Sequence, residues 1–115
     1  VMEAFIKAEG RKKIDVLFAH NDDMAIGAIQ AMDEAGLKPG EGIRIVSIDG
    51  VRGAFEAMAA GKLNATVECN PLLGPQLAQL IRDVHGGKAV PKRVVVEEGV
   101  FTRDQAAGEL PNRKY

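Results

Sequence analysis

Tryptophan is absent, cysteine occurs once as Cys69, serine once as Ser47, and the aromatic residues are four Phe and one Tyr. A lone thiol excludes an internal disulfide and cannot by itself build a thiolate metal site, so no resident metal is expected. The single serine sits inside an apolar run, which leaves no Ser, His and Asp arrangement on a nucleophile elbow. No glycine-rich phosphate loop of either common kind is present, and no nucleotide or other cofactor is expected. Lys and Arg total 15 against 16 Asp and Glu, and the largest basic cluster is Arg11, Lys12 and Lys13. Without a basic face, nucleic acid has no electrostatic footprint to meet and is not an expected partner. No apolar stretch approaches the roughly 20 residues that span a bilayer, so direct membrane insertion is not expected either.

What is present is a soluble composition, 46% hydrophobic and 27% charged over 115 residues, enough for about one small domain. "VMEAFIKAEG" has Met2, Phe5 and Ile6 on one helical face and lacks the basic start and unbroken apolar centre of a signal peptide. No capping residue precedes it, and the chain reads as a piece of a longer protein whose export address, if any, lies elsewhere. After a turn at Arg11, Lys12 and Lys13, "IDVLFAH" is short, apolar and partly β-branched, the pattern of a strand covered on both faces.

From Asp22 the spacing turns helical, with Ala25, Ile29 and Met32 on one side and Gly36 as a stop. "IRIVSI" is a second strand closed by Asp49 and Gly50. Val51, Phe55 and Met58 mark a shorter helix, and "NATVEC" a third strand. Asn70 and Pro71 open a longer helix whose buried stripe would be Leu73, Leu77, Leu80, Ile81 and Val84. "RVVVEE" reads as a fourth strand, and "FTRDQAAGELPNRKY" as polar and at most briefly helical. Such alternation predicts an α/β fold, a parallel sheet with flanking helices.

Ligands of open parallel sheets sit outside the carboxyl ends of the strands. Three such ends carry polar groups: Asn21 with Asp22, Asp49, and Glu68 with Cys69 and Asn70. An amide and a carboxylate on adjacent tips, about 4.8 Å apart, offer donors and acceptors that suit a polyol or sugar better than a phosphate. The alternatives are ordinary: Asn21 or Asp22 caps the next helix, and Asp49 with Gly50 forms a turn. His20 with Asp22 and Asp23 makes a poor ligand set, because sequence neighbours on a strand end point in different directions. His85, beside Gly86, is explained by a helix C-terminus.

"FAHNDDMAIGAIQAMDEAGLKPGEGIRIVSIDG" followed by "AMAAGKLNATVECNP" resembles the C-terminal part of the type I periplasmic sugar-binding proteins of ABC transporters, in the ribose and galactofuranose-binding group. The resemblance implies a two-lobed, periplasmic, non-enzymatic protein that closes on a monosaccharide at its hinge and presents it to a permease. It implies that Asn21 of the "ND" motif and Asp49 of the "IDG" motif meet sugar hydroxyls, with Asp22, which begins the helix beside them, as a secondary ligand contact. Cys69 stands where ribose binders carry a hinge glutamine, which leaves ribose in doubt, and Glu68 is the candidate to compensate. Since neighbours on a strand face opposite ways, Glu68 and Cys69 cannot both face the ligand.

The same resemblance divides the chain. Residues 1–69 would be the second half of the C-terminal lobe, 70–98 a helix and strand of the N-terminal lobe, and 99–115 a tail crossing back. Alone, the chain is then expected to bind sugar weakly or not at all, and to self-associate through unpaired surfaces. Two other readings remain at this point: a sugar-sensing effector domain of a repressor with the same fold, and a metal-dependent receiver-type phosphotransfer domain on Asp22, Asp23 and Asp49.

Overall fold

Helix α1 (Met2–Glu9) leads into β1 (Val16–Phe18), α2 (Asp22–Glu34), β2 (Arg44–Asp49), α3 (Arg52–Ala59) and β3 (Ala65–Glu68). Then come α4 (Gly74–His85), β4 (Val100–Thr102), α5 (Arg103–Glu109) and a single 3₁₀ turn, Leu110–Asn112. The computed structural model describes residues 1–10 and 14–115, so the expected turn at Arg11, Lys12 and Lys13 lies outside the described residues.

The strands form one sheet in the order β1-β2-β3-β4. The first three are parallel, as alternation with helices requires, but β4 runs antiparallel to β3, with Thr66 opposite Phe101. The α/β architecture with flanking helices therefore stands, with a mixed sheet rather than a wholly parallel one. The fourth strand also comes later than "RVVVEE" suggested. Residues 93–98 have strand composition but pair with no strand among the described residues, and β propensity yields a strand only where a neighbour supplies the ladder.

Side chains alternate across the sheet, which separates two unlike faces. Ile45, Ser47 and Thr66 are fully buried on the side where Asp22 of α2 reaches the strands and Phe55 of α3 meets Phe101 edge to face at 5.1 Å. Met32, Phe55, Met58 and Leu63 complete this core, each contributing about 1.5–3 kcal/mol by its burial. On the other side Val16, Phe18, Val67 and Val100 are exposed. The expectation that β1 is covered on both faces is thus corrected: among the described residues the helices that bury apolar groups gather on one face.

The expected stripe of α4 is not buried. Leu73, Leu77, Ile81 and Val84 are all exposed, and no residue of the helix is buried. Its start is also displaced: Asn70 Oδ1 accepts the Leu72 N–H at 2.8 Å in a local turn, and Pro75 rather than Pro71 lies in the first helical turn. The chain leaves and returns at one point, since the Glu68 N–H donates to Gly99 O at 2.8 Å and the Asn70 N–H to Glu98 Oε1 at 3.0 Å. The result is an elongated molecule of 61 × 30 × 16 Å.

The tail is more helical than its polarity suggested. The Thr102 N–H donates to Gln105 Oε1 at 2.9 Å, the return arm of a capping box that starts α5, and Ala106 is fully buried against the core.

Candidate functional site

Asn21 lies just beyond the carboxyl end of β1, and Asp49 is the last residue of the neighbouring β2. The β1–β2 ladder ends with Phe18 opposite Val46, the Ala19 N–H still donates to Val46 O at 2.9 Å, and Asn21 follows as the chain turns into α2. Asn21 caps α2: its Oδ1 accepts the Met24 N–H at 2.8 Å, satisfying one of the donors a helix start leaves open. Its amide NH₂ donates to no group among the described residues, so capping and ligand contact are compatible.

Asp49 is half-buried and has φ 125°, the one positive φ outside glycine among the described residues. Holding a non-glycine residue there costs about 1–3 kcal/mol and is most often found where function demands it. Gly50 follows with φ 79°, and a Cβ on it would come within 3.3 Å of Glu68 Cα, so the backbone crosses close to β3. The Cys69 N–H donates to Asp49 O at 2.9 Å, while no hydrogen bond reaches the Asp49 carboxylate from the described residues.

Asp22 does something the sequence did not suggest. It is fully buried, and it is not the cap. Oδ1 accepts the hydroxyls of Ser47 and, at 2.8 Å, of Thr66; Oδ2 accepts the N–H groups of Gly50 at 2.7 Å and Val51 at 2.8 Å. Four donors account for both oxygens, which is what an ionised carboxylate needs to sit in a core. The structure therefore places Asp22, expected among the ligand contacts, in the core with no exposed surface.

Glu68, directly opposite Asp49 in the β2–β3 register, is likewise occupied. Its Oε1 accepts from Arg113 Nη1 and from the Tyr115 hydroxyl, both at 2.8 Å, and its Oε2 from the Gly99 N–H at 3.1 Å. Burial works to raise its pKa, but the Tyr115, Arg113 and Gly99 donors outweigh that and hold it below the ordinary value. Desolvation and then the Glu68 carboxylate push Tyr115 up to about 12. Arg113 rests against both rings of the Phe55–Phe101 pair, its guanidinium carbon 4.4 Å from the centre of Phe55 and 4.5 Å from that of Phe101. Glu68 therefore anchors the C-terminal segment rather than standing open, and Cys69 is exposed beside it.

Arg113 and Tyr115 escaped the sequence reading because nothing in a polar tail marks one basic residue as buried. Ser47 was readable in principle, since a hydroxyl in an apolar strand requires a buried acceptor. Phe18 is exposed and tilts against His20 at 5.5 Å on the open sheet face. Among the described residues no group of three or more His, Cys, Asp and Glu could hold a metal ion, and no helix is long and apolar enough to cross a membrane. With Asp22 committed to four donors, the triad that the receiver-type reading needs is not assembled.

A family model described as periplasmic binding protein domain matches residues 1–89. The chain belongs to that family. It is 46% identical to the galactofuranose-binding protein YtfQ of Escherichia coli K12, over 99% of this chain and 36% of the relative. A Mycobacterium smegmatis structure in complex with β-D-fucofuranose superposes with a TM-score of 0.91 at 50% identity, covering 99% of this chain and 37% of that one. The binding-protein component of an arabinose ABC transporter from Shewanella sp. ANA-3, bound to α- and β-L-arabinofuranose, gives a TM-score of 0.88 at 45% identity, with coverage of 98% and 38%. The chain thus spans little more than a third of these family members, and the resemblance seen in its motifs is one of membership.

Proposed function

We propose that the chain supplies one wall of a monosaccharide site in a solute-binding component of an ABC importer, working in the periplasm without catalysis. The observation that carries this is spare hydrogen-bonding capacity at the ends of two adjacent strands: amide donors on Asn21, after β1, and an unengaged carboxylate on Asp49, at the end of β2. A sugar hydroxyl donates to one and accepts from the other, and the charged acceptor strengthens the first bond. The furanoses named for its relatives favour a five-membered ring as ligand, and Cys69, small and exposed, leaves room beside the Asp49 tip.

The division of the chain supports a two-lobed receptor. Residues 70–98 carry a helix with no buried residue, out and back from one point beside Glu68. That is the behaviour of a segment belonging to a second lobe, while 99–115 return to α3 and β3. Exposed apolar groups on the sheet and on α4 favour self-association of the isolated chain. A repressor effector domain would share this site, and a DNA-binding segment in the same polypeptide would mark it. Calorimetry of the intact receptor with D-galactose, L-arabinose and D-fructose tests the proposal. Micromolar binding lost on Asp49→Ala is expected, and unchanged affinity in that variant would overturn the assignment of the site.

A further inference from the structure

We infer that Asp22 is a positioning residue: through the Gly50 and Val51 N–H groups it holds Asp49 in the conformation that receives ligand, and couples that tip to the helix carrying Asn21. The inference rests on the sugar-site reading above and deepens it.

Two consecutive residues, Asp49 and Gly50, have positive φ. An aspartate relaxes out of that region unless the flanking chain is held on both sides. On one side the Cys69 N–H grips Asp49 O at 2.9 Å. On the other the next two N–H groups, Gly50 and Val51, both end on Asp22 Oδ2 at 2.7 and 2.8 Å. The second oxygen does a different job. Ser47 and Thr66 from β2 and β3 donate to Oδ1 and fix the plane of the carboxylate, so that Oδ2 points at the turn. Because Asp22 follows Asn21 in the chain and opens α2, one carboxylate sets the spacing between the two candidate sugar contacts. It touches no solvent, so its effect reaches ligand only through those residues.

Three variants separate this from plain core stability. Asp22→Asn keeps an acceptor for the turn, and its NH₂ finds Ser47 and Thr66 oxygens as acceptors. Ser47→Ala with Thr66→Val removes the strand hydroxyls and leaves the turn bonds. Asp22→Ala removes both. In this chain, hydrogen exchange at Gly50 and Val51 and the Asp49 amide coupling constant are read by NMR. Affinity is read in a fusion in which this chain replaces the matched segment of the galactofuranose-binding relative, titrated with D-galactose, L-arabinose and D-fructose.

Asp22→Ala is expected to lose protection at both amides and at least about tenfold in affinity. Asp22→Asn and the hydroxyl double variant stay within about threefold, although the double variant melts lower. Unchanged exchange and coupling in Asp22→Ala, or affinity losses that merely follow melting temperature across the three, would overturn the inference. A parent fusion that binds none of the sugars defeats the sugar-site reading instead, and the positioning role is then decided by the NMR arm alone.

Discussion

The phenol of Tyr115 donates to Glu68 Oε1 at 2.8 Å, joining residues 47 positions apart, while the Tyr115 carbonyl accepts the Arg52 N–H at 2.7 Å. The last residue of the chain is thereby tied to both β3 and α3. Its pKa lies at about 12 in the fold against an ordinary 10. A raised phenol pKa means the unfolded chain loses its proton first as pH rises. The stabilisation is complete below pH 10 and disappears through about pH 12. Thermal melts from pH 8 to 12 should fall across that window, and Tyr115→Phe should flatten the fall.

Glu68 gives the opposite limb. Its pKa is held below 4.5, so its contribution is present above that pH and is lost as pH drops through the lower, folded value. An acid titration of Glu68→Gln should show a shallower loss of stability below pH 4.5 than the parent.

Arg113 is about one-tenth exposed and pairs with Glu68, exposed to a similar degree. Arg113→Ala removes the partner and the cation–π contacts together, and should cost about 3–5 kcal/mol in denaturant unfolding. Arg113→Lys should recover less than half, because a compact ammonium cannot cover the Phe55 and Phe101 rings while it reaches Glu68.

Asp49→Gly should stabilise the chain by about 1 kcal/mol, since glycine occupies φ 125° without penalty. The same change removes the acceptor proposed to meet the sugar. A melting temperature raised by a few degrees, together with lost affinity in the receptor, would show stability yielding to binding at this position.

Asn64 bridges two segments: its Oδ1 accepts the Ile45 N–H at 2.7 Å and its Nδ2 donates to Gly40 O at 2.9 Å. Asn64→Ala strands a ladder N–H and should cost about 1–3 kcal/mol. Leu77→Gln with Ile81→Gln on α4 should move stability by no more than about 0.5 kcal/mol, because both side chains are already more than half exposed.

The elements with an internal partner were legible from pattern alone. Ala25, Ile29 and Met32 are buried at their helical spacing in α2, and Phe55 and Met58 in α3. Where the pattern needed a partner that the described residues do not offer, it misled. The stripe of α4 and the valines of 93–98 have the composition of buried elements and stay exposed or unpaired. Helix α5 lacked a stripe to announce it, yet Thr102 and Gln105 are spaced as a capping box and were available as a signal. At the candidate site, Asn21 and Asp49 stand at strand ends as their sequence context suggested. Asp22 was misassigned because a shift of one residue at a helix start turns a side chain by about 100°, from the cap toward the sheet.

A carboxylate that draws its donors from β2, β3 and the turn before α3 has a kinetic consequence. Until those segments meet, its hydration shell cannot be replaced, and stripping water from it early is uphill. Dehydration of Asp22 is thus expected to follow the meeting of β2, β3 and the turn before α3, an order that folding kinetics of Ser47→Ala and Thr66→Val would read.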